Sequence, residues 1–246
     1  MVIITALRDE QIRVKNEFLT VLSKENSQKN GLIDVLEVGG GSRTKIDLPG
    51  TRFTSLDIDE HSLSRSTYAD RQIVGDAQIY GFSGIPIDIA VFWNVLEHIE
   101  NPGLALRNVA SSVGPTGSIV VAGPLLRSLK GIVTRLTPHW VHVLFYRVVG
   151  GKKSAGTVGQ GPFQVEHDKG CDIDELVGSL RTLGFGVVFR REYRGVSLNQ
   201  LNEFSPILYR IYRLVSAALR RATSGKWGSA ESDFILIARK GALAAA

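Results

Sequence analysis

Residues 35–43 read Val35-Leu36-Glu37-Val38-Gly39-Gly40-Gly41-Ser42-Arg43, an apolar run holding one carboxylate and ending in three successive glycines. The segment from Ile33 to Val38 has the length and apolar continuity of a strand covered on both faces. The glycines after it mark a tight turn, where the backbone can take positive φ and a ligand can approach without meeting a Cβ. The next acid at the end of an apolar run is Asp57, closing a strand read over 53–58 and standing twenty residues after Glu37. That spacing suits a carboxylate accepting hydrogen bonds from the two hydroxyls of a ribose.

The flanking segments repeat the strand-then-helix rhythm. Residues 60–69 read as a short helix and 71–74 as a third strand, running into Gly75-Asp76. A nearly continuous apolar strand follows over 87–93. A helix is read over 102–113, with Pro102 at its start and Gly114-Pro115 past its end, and a fifth strand over 118–122. Upstream, Ile12, Val14, Phe18, Leu19 and Leu22 give residues 8–24 an amphipathic helical pattern. Such alternation calls for βαβ units and a parallel, doubly wound sheet. After residue 123 the rhythm changes. Residues 124–171 are basic and rich in glycine and aromatics. Asp172 then caps a helix bearing Leu176, Val177, Leu180 and Leu183, which Gly184 stops. Strands are read over 186–190 and 234–238. Between them lies a helix over 206–222, with Ser205 as cap and Pro206 in its first turn.

The chain has 246 residues, 43% apolar and 22% charged, which excludes a disordered, collagen-like or coiled-coil chain. It is read as one domain over 1–246 with a core over 31–123 and two insertions, 124–171 and 191–231. The lone Cys171 excludes an internal disulfide framework and a multi-thiolate zinc site. No uninterrupted apolar run approaches a membrane span. The opening MVIITALRDE lacks the pattern of a signal peptide, so a cytoplasmic setting is expected. Charge is uneven: residues 1–123 carry 11 Lys/Arg against 15 Asp/Glu, whereas 124–246 carry 18 against 9. A +9 half points to a solvated basic face, an anionic acceptor or an anionic membrane surface.

Thr44 stands where a dinucleotide fingerprint would place its third glycine. Glu37, facing the turn, repels a pyrophosphate and attracts a cation. A ligand with an adenosine end and an amino acid end fits such a groove. Two further segments fall at strand ends: Gly75-Asp76-Ala77, where an acid can accept from an adenine amino group, and Asn94-Val95-Leu96-Glu97-His98. With these segments in order, the chain resembles the class I S-adenosylmethionine-dependent methyltransferases. It is most similar to the type 11 group, whose signature pairs a V-L-E/D-x-G-x-G turn with a V-L-E-H-I/V segment after strand four. The resemblance covers 31–123 closely, and 172–190 and 232–239 more loosely. It implies an α/β Rossmann-like sheet of seven strands in the order 3-2-1-4-5-7-6, the last antiparallel, with S-adenosyl-L-methionine as cofactor. It implies that Gly39, Gly40, Gly41 and Ser42 cradle that cofactor, with Glu37 near its methionine part. Asp57 would take the ribose hydroxyls, Ile58 lie beside the adenine, Asp76 and Ala77 meet the adenine edge, and Asn94 and Val95 line the methionine side. Arg43 departs from the pattern, since the family often has glycine there.

Transfer to a hydroxyl needs a base. His98 is the candidate at the lip of the cleft; His139 and His142, flanking Trp140, are the others, and His167 reads as an inert polar turn. Asn94 stands where a further acid would help a metal, so none is expected. The two insertions are read as a basic cap that selects a small-molecule or lipid- or glycan-linked acceptor, methylated on oxygen. A catalytically idle binding module and, further off, a nicotinamide-dependent oxidoreductase are the alternatives. In the helix over 206–222, Ile207, Leu208, Ile211, Leu214, Val215, Ala218 and Leu219 form one stripe, with Arg210, Arg213, Arg220 and Arg221 opposite. The first reading packs that stripe against its own domain; contact with anionic lipid, peripheral to a membrane, or with a second copy follow. Trp140, Phe145, Tyr146, Tyr209 and Tyr212 sit in apolar runs that read as core, which argues against nucleic acid as partner.

Overall fold

The computed structural model describes residues 2–27, 31–41, 43–46, 48–157 and 169–242. In chain order its elements are α1 (Val2–Asn26), β1 (Ile33–Val38), β2 (Thr51–Asp57), α2 (Glu60–Leu63), β3 (Arg71–Val74), β4 (Ile89–Trp93), α3 (Pro102–Ser112) and β5 (Ser118–Pro124). There follow α4 (Leu129–Leu136), α5 (His139–Val148), α6 (Ile173–Thr182), β6 (Phe185–Tyr193), α7 (Val196–Phe204), α8 (Pro206–Ala222) and β7 (Asp233–Lys240).

The strands form one sheet in the order β3-β2-β1-β4-β5-β7-β6. Pairs β1–β2, β2–β3, β1–β4 and β4–β5 are parallel. β7 runs against its neighbours. Lys240 N donates to Gly117 O and Leu125 N to Ser232 O, both at 2.9 Å, so the start of β5 meets the end of β7. Gly241 N to Gly184 O and Ser232 N to Tyr193 O set β6 the same way against β7. The expected order and the antiparallel last strand are therefore both present. Val35, Leu36, Ile89, Ala90, Val91, Phe92, Ile119 and Val120 are buried, as continuous apolar strands with both faces covered must be.

The chain divides into two compact units. One, built from residues 16–123, 168–190 and 235–246, holds most of the sheet and the ends of β1 to β4. In it, Phe18 of α1 packs edge-on against Trp93 with ring centroids 5.8 Å apart. Of the helix ends, the Asp172 cap and the Gly184 stop read from sequence are in place, and Asn101 adds a cap that sequence reading did not name. Asn101 accepts from Leu104 N at 2.9 Å and Asp172 from Asp174 N at 2.9 Å, while Gly184 takes φ of 84° after α6. The helix expected over 60–69 is a single turn, α2, capped by Asp59.

The second unit comprises residues 1–15, 124–167 and 191–234. Its α4, α5 and α7 lie in stretches where no helix was read. The greater departure is α8. Ser205 caps it as expected, accepting from Leu208 N at 3.3 Å. Its apolar stripe, however, does not pack on its own domain: Leu214 is 71% and Ile207 69% exposed. The buried residues are Tyr209 and Ser216. Trp140, read as core, is 66% exposed. Periodicity identifies an amphipathic helix but not the medium each face meets.

Candidate functional site

Four segments separated in sequence meet at the carboxyl ends of neighbouring strands in the first unit. Val38 stands beside Leu56 in the β1–β2 register, so the first glycine of the turn falls next to Asp57. Gly39 N donates to Leu56 O at 2.8 Å and Gly75 N to Asp57 O at 2.9 Å. On the other side of β1, Val38 is level with Phe92, and the chain leaving β4 passes through Asn94 and Val95. Ligands of open α/β sheets bind at this edge.

The three glycines answer to three different demands. Gly39 takes φ of 73°, and a Cβ there would lie 2.4 Å from Val95 Cγ2. Gly40 is packed underneath, where a Cβ would lie 1.9 Å from Ser55 Oγ and 2.8 Å from Ser66 Oγ. Gly41 faces open space among the described residues, with no heavy atom beyond its chain neighbours within 4 Å of an added Cβ. Its carbonyl is held from behind by Ser66 Oγ at 3.0 Å. The protein thus needs the first two glycines for its own packing and leaves room at the third.

Glu37 is buried, and its carboxylate accepts from the hydroxyls of Thr44 and Tyr68 and from Lys45 N at 3.2 Å. Thr44 Oγ1 is in turn bonded by Ile46 N at 3.0 Å, which folds the turn back onto β1. Burial, with the adjacent Glu37 carboxylate, holds the Tyr68 phenol well above its ordinary pKa, so it stays a proton donor. Sequence reading missed Tyr68, whose place is decided by the turns after α2 and not by any motif. Thr44 was read only as a missing glycine, and it is a hydroxyl donor to Glu37.

Asp57 is half-buried at the end of β2. Burial raises its carboxyl pKa, partly opposed by the Asp59 amide, which donates to its Oδ1 at 2.9 Å. Ile58 follows it with 73% of its surface exposed, an apolar side chain the core does not use. Asp76 accepts from Gln78 N at 2.9 Å and from the Gln78 side-chain amide, while Ala77 is buried. Asn94 has φ of 51°, a left-handed conformation that a side-chain-bearing residue seldom takes outside turns and functional sites. Its amide donates to Ala122 O at 2.8 Å. Ser42 lies outside the described residues.

Of the candidate bases, His98 is half-buried on the single turn Leu96–His98 after β4, in the same unit as the glycine turn. His139 and His142 belong to α5 of the second unit, with rings 6.2 Å apart. Thr137 Oγ1 lies 2.7 Å from Val133 O and shares a 2.8 Å hydrogen bond with His142 Nε2. His167 lies outside the described residues.

Comparison with known proteins agrees with this geometry. Residues 7–151 match a family model described as a methyltransferase domain. No curated protein sequence matches the chain. Among solved structures, it is similar to the 4+2 cyclase SpnF, at 15% identity over 91% of this chain and 80% of that one, with a TM-score of 0.55. It is similar to magnesium protoporphyrin IX methyltransferase from Synechocystis with bound S-adenosylhomocysteine, at 12% identity, 95% and 84% coverage and a TM-score of 0.51. It is also similar to the N-methyltransferase NodS of Bradyrhizobium japonicum in complex with S-adenosylhomocysteine, at 15% identity, 92% and 87% coverage and a TM-score of 0.50. At these identities the likeness is one of fold.

Proposed function

Because the chain belongs to the class I S-adenosylmethionine-dependent methyltransferases, we propose that it transfers a methyl group to a hydroxyl of a small-molecule or lipid- or glycan-linked acceptor. When bound, S-adenosylmethionine supplies a methyl group on a sulfonium that is already a good leaving group. The residues at the strand ends fit that molecule. The open side of Gly41 gives it room, and the half-buried Asp57 carboxylate, beside the turn, accepts from the ribose hydroxyls. Ile58 offers an exposed apolar surface to the adenine, with Asp76 and Ala77 at the base's edge. Asn94 and Val95 line the methionine side, and Glu37, held by Thr44 and Tyr68, sets a negative charge behind the turn.

The single observation that carries this reading is the juxtaposition of Asp57 with the glycine turn across β1 and β2. The rest of the chemistry is positioning and exclusion of water. His98 would take the proton of the acceptor's hydroxyl as that oxygen receives the methyl group.

Titration calorimetry with S-adenosylmethionine, S-adenosylhomocysteine and NAD tests the cofactor. Both sulfur nucleosides bind and NAD does not. Asp57→Ala loses the binding, and retained affinity in that variant refutes the site. The acceptor atom is tested by labelled methyl transfer into cell extracts. An alkali-stable ether fits a hydroxyl acceptor, and label released as methanol by alkali refutes it.

A further inference from the structure

At about 100° per residue, the side chains of α8 fall into three sectors. Tyr209, Tyr212 and Ser216 form the packed edge, set against α4 and α7. The Tyr209 hydroxyl accepts from Arg194 Nη1 at 3.1 Å. At Ser216 the chain comes so close that a Cβ on Gly228 would lie 2.6 Å from the Ser216 carbonyl oxygen. These contacts fix the helix's rotation. They turn Ile207, Leu208, Ile211, Leu214 and Val215 outward over an arc of about 120°. Arg210, Arg213, Arg220 and Arg221, all exposed, occupy the sector between the apolar stripe and the packed edge. No acid occurs in the helix, nor anywhere between Glu203 and Glu231.

We propose that α8 lies in the headgroup layer of an anionic lipid bilayer, with its apolar stripe toward the acyl chains and its arginines against the lipid phosphates. Burying the stripe on this chain would require a rotation that the Tyr209 and Ser216 contacts oppose. A polar side rich in arginine, free of acid and bordering an exposed apolar arc is the composition of an interfacial helix. A second helix of the same unit, also free of acid, carries an exposed apolar line. On α5, Trp140, Leu144 and Val148 recur every fourth residue and are exposed, with Arg147 exposed beside them. Tryptophan suits the membrane–water boundary, where one end of the ring system is apolar and the other wet. Over residues 124–157 and 191–234 there are 13 Lys/Arg against 4 Asp/Glu, the charge an anionic surface attracts. No helix among the described residues is long and apolar enough to cross a membrane, so the contact is peripheral. The proposal is independent of methyl transfer, because it concerns binding without cofactor or acceptor.

Flotation of the full chain with phosphatidylcholine vesicles, with and without phosphatidylglycerol, tests it. The protein floats with the anionic vesicles at low salt, is released by high salt, and stays behind with phosphatidylcholine alone. Leu214→Glu abolishes flotation. Arg210→Glu with Arg213→Glu weakens it by at least about tenfold. All three residues are exposed, so the variants keep the wild-type circular dichroism and thermal midpoint. Wild-type protein left behind by anionic vesicles at low salt overturns the proposal. So does undiminished flotation of Leu214→Glu, which would place the lipid contact elsewhere. Sedimentation showing a dimer that Leu214→Glu dissociates, with no vesicle binding, would assign the stripe to a second copy of the chain and overturn it equally.

Discussion

Gly41→Ala separates the glycine that serves the ligand from those that serve the fold. Among the described residues an added Cβ at Gly41 has no heavy atom beyond its chain neighbours within 4 Å, and the residue is not among the glycines with positive φ. Alanine therefore costs the folded state nothing by clash. By restricting the unfolded chain it should raise stability by about 0.4–1 kcal/mol. The same methyl group stands in the space assigned to the cofactor. Overpacking of a close contact costs about 1–3 kcal/mol, which for binding is a loss of about 5- to 150-fold in affinity. Urea denaturation without ligand and titration calorimetry with S-adenosylhomocysteine read the two effects separately. Stability equal to or above wild type, with weakened binding, is the expected pair. Wild-type affinity in a normally folded Gly41→Ala protein would show that the open side of the turn does not face the ligand, and the proposed site would be wrong.

Gly39→Ala, by contrast, should destabilise by about 2 kcal/mol or more, since it adds a left-handed alanine to a clash with Val95; Val95→Ala in the same chain should recover about 1 kcal/mol of that in a denaturation cycle. Tyr68→Phe removes one of the donors to the buried Glu37 carboxylate and should cost about 1–3 kcal/mol by urea denaturation. Asp57 makes cofactor affinity pH-dependent. Burial lifts its carboxyl pKa above the ordinary aspartate value, and only the carboxylate accepts from both ribose hydroxyls. Calorimetric affinity should therefore fall as pH drops through that raised pKa, a dependence Asp57→Asn removes. The sign for stability is opposite: a group that holds its proton more tightly when folded favours the fold at low pH, and the benefit disappears as pH rises through the folded-state pKa.

Much of the fold was legible because its signals are local. The strands β1 and β3 end where an apolar run meets glycine, and Asp172 and Ser205 cap helices at the positions their side-chain chemistry predicts. Parallel strands need long crossovers of one hand, which leaves few orders for seven strands. The strand ends Glu37, Asp57, Asp76 and Asn94 could be gathered because the family resemblance implies the strand order, in which β1, β2, β3 and β4 are neighbours and end on one edge. Tyr68 and Thr44 could not. Each reaches Glu37 through a turn whose path depends on tertiary packing around Ser55 and Ser66, and no periodic pattern encodes it.

The helix over 206–222 shows where periodicity stops being informative. Its apolar stripe was read correctly as a stripe and wrongly as a packing face. Hydrophobic spacing reports that one side of a helix is apolar; it does not say whether chain, second copy, lipid or water meets that side. What decides the matter is steric and lies outside the helix. Gly228, having no Cβ, comes close to the Ser216 carbonyl oxygen, and Arg194 donates to the Tyr209 hydroxyl. With those contacts made, the packed edge is a narrow band of Tyr and Ser, and five aliphatic side chains are left facing outward. A core helix built for stability would bury the aliphatic side, because each such side chain contributes about 1.5–3 kcal/mol on burial. The chain forgoes that gain within its own fold. The proposed lipid contact would recover that gain on a surface outside the chain.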